Sequence, residues 1–160
     1  MEINRSLAAI ATLSILTATI AASCSKDTYH NPNTISVTVG DKNLQSTRIN
    51  GNSNGTDLAL DGYPANQGDT SMIHIVIKTF LKVNQPDAFQ SSLVLYTAAD
   101  GKTYSGDELY NGHGTLTITS WDSTGQRIAG TFSGVLYNLT TGSDSVTVTD
   151  GKFNSAYSSF

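Results

Sequence analysis

"SMIHIVIKTFL", Ser71 to Leu81, is the stretch on which the fold turns. Ile73, Ile75, Ile77 and Leu81 fall on one side at period two, while Met72, His74, Val76, Lys78 and Phe80 occupy the other. Successive side chains of a strand point to opposite faces, so this spacing predicts a strand with one face in a core.

The same rhythm recurs in both directions. Upstream, Ile35, Val37 and Val39 alternate with Ser36 and Thr38 before Gly40-Asp41, which is half-buried strand followed by hairpin chemistry. Residues 43–49 return as a second strand, 50–55 read as loop, and Leu58 and Leu60 mark a short strand ending at Asp61-Gly62. Downstream, residues 84–92 with Pro86 break the pattern and suggest a helical turn, and Leu93 to Thr97 form another strand. Leu116 and Ile118 then alternate with Thr115, Thr117 and Thr119 up to Trp121, and Asp122-Ser123-Thr124-Gly125 turns the chain. Arg127 to Leu139 runs back with Ile128, Phe132 and Leu136 on one face, interrupted by Gly130 and Gly134, residues that mark bulges or close backbone approach. Val146 and Val148 lead to Asp150-Gly151, read as a turn, and Phe153 to Tyr157 closes the series. Short strands at regular spacing predict an all-β fold over residues 34–160. The expectation is a single antiparallel β-sandwich, with a lipocalin-like β-barrel as the alternative.

Composition agrees. Ser, Thr, Gly and Asn are abundant, and beyond the first 23 residues the one glutamate is Glu108. β-Branched and turn residues dominate over strong helix formers. The net charge of −4 gives no basic footprint for nucleic acid and no polybasic membrane patch.

The amino-terminal segment reads differently. Arg5 precedes an uncharged run, Leu7 to Ala22, followed by the only cysteine, Cys24. A basic start, an apolar stretch of ~7–15 residues and small residues before a cut describe an export signal. A membrane span needs ~18 or more apolar residues. Ala21-Ala22-Ser23-Cys24 resembles the bacterial lipobox, although Ala21 stands where leucine is most frequent. The expected organisation is a lipoprotein signal peptide over 1–23, a flexible tether over 24–33 starting at an acylated (palmitate-type) Cys24, and the β domain over 34–160. Two or more buried acyl chains hold a protein stably on a bilayer.

"GHGTLTITSWD", "QRIAGTFSGVLYN" and "SVTVTDGKFNSAY" follow one another between Gly112 and Tyr157. This series resembles a family of small uncharacterised lipoproteins from Bacteroidota, whose members end in comparable I-x-G-T-F-S and V-T-D-G-K-F-N segments. The resemblance implies an outer-membrane, lipid-anchored protein of the cell envelope, and no activity that carries across.

Little in the chain announces chemistry. His30, His74 and His113 are too dispersed for a local zinc motif. Gly130 to Gly134 lies in a strand pattern and not at a strand-to-helix elbow, and the adjacent Asp107-Glu108 would point apart on a strand. Asp57, Asp61, Asp69, Asp100 and Asp107 stand mostly near glycines and read as turn residues without an EF-hand pattern. No catalytic residue, metal or cofactor is assigned, and the expected role is a non-enzymatic accessory or binding module whose partner is a glycan or another envelope protein. The aromatic candidates for a ligand platform are Trp121, Tyr96, Tyr104 and Tyr110, since a ring packs on the apolar face of a pyranose. Simple alternation sets Trp121 on the Thr115-Thr117-Thr119 face. Ser123 and Ser145 sit in D-S-x tripeptides that resemble O-glycosylation acceptors of exported Bacteroidota proteins.

Overall fold

The computed structural model describes residues 33–66, 68–79 and 81–160. The expected signal peptide over 1–23, Cys24, most of the expected tether and His30 lie outside the described residues. The strands are β1 (Thr34–Val39), β2 (Lys42–Ser53), β3 (Asp57–Pro64), β4 (Met72–Lys78), β5 (Pro86–Ala88), β6 (Ser92–Thr97), β7 (Thr103–Ser105), β8 (His113–Asp122), β9 (Arg127–Asn138), β10 (Ser145–Ala156) and β11 (Ser158–Ser159).

Eight of them close into an antiparallel barrel in the order β1-β2-β3-β4-β6-β7-β9-β10, with β10 pairing back onto β1. The sandwich expectation is therefore corrected: the fold fits the barrel alternative. A meander of alternating strands suits either architecture, and the β1–β10 pairing decides between them. One edge of β9 is held by β10, and the other is shared by β8 over Arg127–Asp122 pairing through Val135–His113 and by β7 at Tyr137 and Asn138. β8 thus leaves the ring as a flap, carrying β5 on its outer edge.

Side chains fill the interior. Leu58 and Leu60 from β3, Ile75 and Ile77 from β4, Val94 from β6 and Leu136 from β9 have no exposed surface. Burying such a residue contributes about 1.5–3 kcal/mol. An eight-stranded barrel is just wide enough to be filled by side chains or to hold one small ligand, and here the aliphatic side chains take that space.

The flap side packs through aromatic rings laid on glycines. A Cβ on Gly134 would stand 2.7 Å from Phe89 Cε2, and one on Gly130 would stand 2.7 Å from Phe153 Cε1 and 2.5 Å from the Thr117 carbonyl oxygen. Phe132 covers Gly151 in the same manner. Rings resting on strand glycines replace the missing side chains and fix the register.

Three local expectations change. Residues 84–92 hold β5 and a turn closed by Ser91 N–H donating to the Ala88 carbonyl at 3.1 Å, not a helical turn. The single helical turn described is a 3-10 turn at Glu108–Tyr110, started by Asp107, whose carboxylate accepts from Leu109 N–H at 2.9 Å. Asp150-Gly151 is a bulge within continuous β10, with Asp150 at φ 53, and the predicted 50–55 loop is strand up to Ser53. An extra residue bends a strand without ending it.

Candidate functional site

The candidate site forms where the chain's last residues cross one end of the barrel. The pairing of β8 with β9 slips between Ile118 and Ser120, so Trp121 comes to oppose Ile128. Ile128 is buried, and directly opposed residues share a face. Trp121 therefore sits on the core side, packed against it and half-buried, and not on the threonine face that alternation indicated. Its Nε1 donates to the Tyr157 hydroxyl at 3.0 Å.

Tyr157 belongs to a strap. Its backbone N–H donates to the Gln126 carbonyl at 2.9 Å, and the Ala156 N–H donates to Asn33 Oδ1 at 2.9 Å. The strap passes close beneath β2, where a Cβ on Gly51 would lie 2.5 Å from the Ala156 carbonyl oxygen, so only glycine fits. β11 then runs parallel to Asn52 and Ser53.

A groove opens on each side of the strap. The first, about 370 Å³, is lined by Trp121, Tyr157, Thr79, Ser123, Gln126 and Ser159 among others. The second, about 390 Å³, is lined by Asn33, Asn50, Asn52, Asp61, Tyr157 and Ser158 among others. Both volumes fall in the range of small-molecule sites, about 300–1,000 Å³. The turn flooring the first groove is held by Asp122 Oδ1, which accepts from Thr124 N–H at 3.0 Å and Gly125 N–H at 2.8 Å. It leaves Gln126 at φ 51, an uncommon backbone state for a non-glycine residue, with its side-chain amide donating to Ser159 Oγ at 2.8 Å.

The other aromatic candidates lie elsewhere. Tyr104 pairs with Asn138 while Trp121 pairs with Ile128, so ten residues of β9 (128 to 138), roughly 33 Å of strand, separate them. Tyr96 and Tyr104 are buried and stacked, with centroids 6.1 Å apart, and Tyr104 donates its hydroxyl proton to Asp144 Oδ2 at 2.9 Å. Burial is the main cause that pushes both phenols above 10.0; nearby Asp69 and Asp100 add to it at Tyr96, and Asp144 at Tyr104. Tyr110 is 40% exposed on the 3-10 turn beside Leu109, itself 87% exposed. Tyr157, which the sequence reading placed only at the end of the last strand, is the aromatic partner of Trp121. No local signal marks it, because the pair is 36 residues apart and meets through barrel closure.

Several titratable groups have structural partners. His74 Nδ1 lies 2.5 Å from Asp61 Oδ1 on the outer face, both side chains about a quarter exposed (25% and 26%). On that face His74 lies between Met72 and Val76 on its own strand, opposite Leu95 of β6, with Thr97 opposite Met72. Asp57 pairs with Lys78 Nζ at 2.6 Å, and Asp100 Oδ1 accepts from Lys102 N–H at 3.1 Å. Asp69 accepts from Ser71 N–H at 2.9 Å, the first cause of its lowered pKa. Among the described residues no three His, Cys, Asp or Glu side chains gather closely enough to hold a metal ion. Ser123 and Ser145 are both exposed, Ser123 in the turn beside Trp121 and Ser145 at the start of β10.

No protein-family model matches the chain, and no curated protein or solved structure matches it.

Proposed function

We propose that this is a non-enzymatic binding module of the cell envelope, held on the outer membrane by lipid at Cys24, and that its ligand is carbohydrate seated against Trp121. The observation that carries the reading is the Trp121–Tyr157 pair in the wall of a groove otherwise made of hydroxyl and amide side chains. An indole ring supplies a flat apolar surface for the C–H face of a sugar, and Ser, Thr and Gln supply donors and acceptors for its hydroxyls. The hydrogen bond to Tyr157 fixes the indole before a ligand arrives, which reduces the ordering cost of binding. A filled barrel interior favours a surface groove over an internal ligand. Ser123 and Ser145 are the exposed O-glycosylation acceptors in this reading, and a glycan on Ser123 would compete for the same groove.

Two measurements test the proposal. Glycan-array binding by the full chain, lost in Trp121→Ala and kept in Leu109→Ala, supports it; no binding to any glycan overturns the ligand class. Intact mass of the membrane-extracted protein carrying acyl chains on Cys24 supports the anchor, and an unmodified thiol overturns it.

A further inference from the structure

Resting on that reading, we infer that the ligand is a neutral oligosaccharide of at least two residues, bound across Tyr157 with one sugar on Trp121 and the next on the Asn50-Asn52-Asp61 face. The two grooves have similar volumes, about 370 and 390 Å³, and Tyr157 is a wall of both. A single sugar ring on Trp121 occupies only one side of that wall.

The second groove has a chemistry of its own. Asn50 and Asn52 stand two residues apart on β2, so their side chains share its outer face at a spacing of about 6.6 Å. Asp61 opposes Asn50 across the β2–β3 pairing, about 5 Å away. Its Oδ1 is engaged by His74, which orients the carboxylate in the groove wall. Two amides and a carboxylate on one face present alternating donors and acceptors, a pattern that matches the adjacent hydroxyls of a sugar. The backbone adds to it. β2 is paired with β1 up to Ser46 and with β11 from Asn52, and between them this edge of β2 has no ladder partner among the described residues. The groove lies along that interval, lined by Ile49, Asn50 and Gly51.

Charge sets the class. Neither groove is lined by lysine or arginine, and the second carries Asp61. An anionic glycan would meet the Asp61 carboxylate there, while the cation nearest on that face, Arg48, lies outside the groove lining over the Tyr63 ring; removing an anionic group from water without a paired cation is costly. Neutral sugars carry no such penalty.

The test is calorimetric titration of the full chain with ladders of one to six units of glucose, mannose, N-acetylglucosamine and galacturonate. For one neutral ladder, affinity is expected to rise at least tenfold between one and three units and then level off, with no binding of the galacturonate ladder. The double variant Asn50→Ala/Asn52→Ala, both residues exposed, is expected to keep single-sugar affinity and abolish the rise with length. Trp121→Ala is expected to remove binding at every length. Neutral sugars that bind equally at all lengths, or a rise with length unchanged in the double variant, would overturn the two-sided ligand while leaving the Trp121 groove intact. Preference for the galacturonate ladder would overturn neutrality. No binding by any ladder overturns both this inference and the carbohydrate reading.

Discussion

The two sides of the barrel are built on opposite terms. Around β5, β8, β9 and β10, phenylalanine rings lie on glycine backbones so closely that a single added carbon meets a ring or a carbonyl. Around β2 and the strap, the sequence KNLQSTRINGNS buries only Ser46 and Ser53, and its outer face carries the Asn50 and Asn52 amides beside Arg48, which lies over the Tyr63 ring. The first side has little room for change on its core face, and its outer face is a short-chain surface of Thr115, Thr117, Thr131 and Ser133. The second contributes little apolar area and arranges polar groups around two open grooves. The contrast teaches where stability resides and where recognition is free to reside.

The contrast can be broken by substitution, starting with the heaviest loss. Phe153→Ala removes a buried ring from its glycine seat and should destabilise by about 3–5 kcal/mol in urea unfolding; a loss under about 1 kcal/mol would show that the ring is not fixed there. Gly130→Ala should cost about 1–3 kcal/mol through overpacking against Phe153 and the Thr117 carbonyl, although alanine elsewhere in a strand is no worse than glycine. Tyr157→Phe removes the hydroxyl that holds Trp121 and should cost about 1 kcal/mol, read together with the Trp121 fluorescence maximum. On the polar side, Asn50→Ala/Asn52→Ala should leave stability within about 0.5 kcal/mol, so any larger loss would erase the distinction between the two sides.

A pH series sharpens the comparison at the barrel's other end. Tyr96 and Tyr104 have folded-state pKa values raised above 10.0. Between the unfolded value and the folded one, the unfolded chain loses its phenol protons first, so folding weakens as pH rises. The stabilisation is complete below pH 10 and should decline above it, with a shallower decline in Tyr104→Phe. A flat urea midpoint from pH 9 to 11.5 would contradict that account.

The strands were legible because alternation is a strong local signal: the Ile73-Ile75-Ile77 face is buried as read, and so are Leu116, Ile118 and Phe153. Gly130 also fulfilled its reading as a point of close approach. Closure was not legible. The partner of Ile35 is Phe153, and nothing near either residue names the other. The slip beside Thr119 was equally hidden, since one unpaired residue reverses every face beyond it, which is why Trp121 was assigned to the wrong side. The site followed the same logic: Trp121 stands out as the sole tryptophan, whereas Tyr157, Asn50 and Asn52 resemble any other strand-end or loop residues until the strap brings them together.

The seam between β1 and β10 carries a kinetic consequence. Asn33 and Ala156 bond across 123 residues of chain, and the whole ring waits on that meeting. Such high contact order makes for slow folding, because the entropy of bringing distant segments together is lost before their pairing compensates. During synthesis the first strand emerges long before its second neighbour exists, leaving a bare edge able to join another molecule. A chaperone that shields that edge until β10 arrives is what this topology asks of its cell.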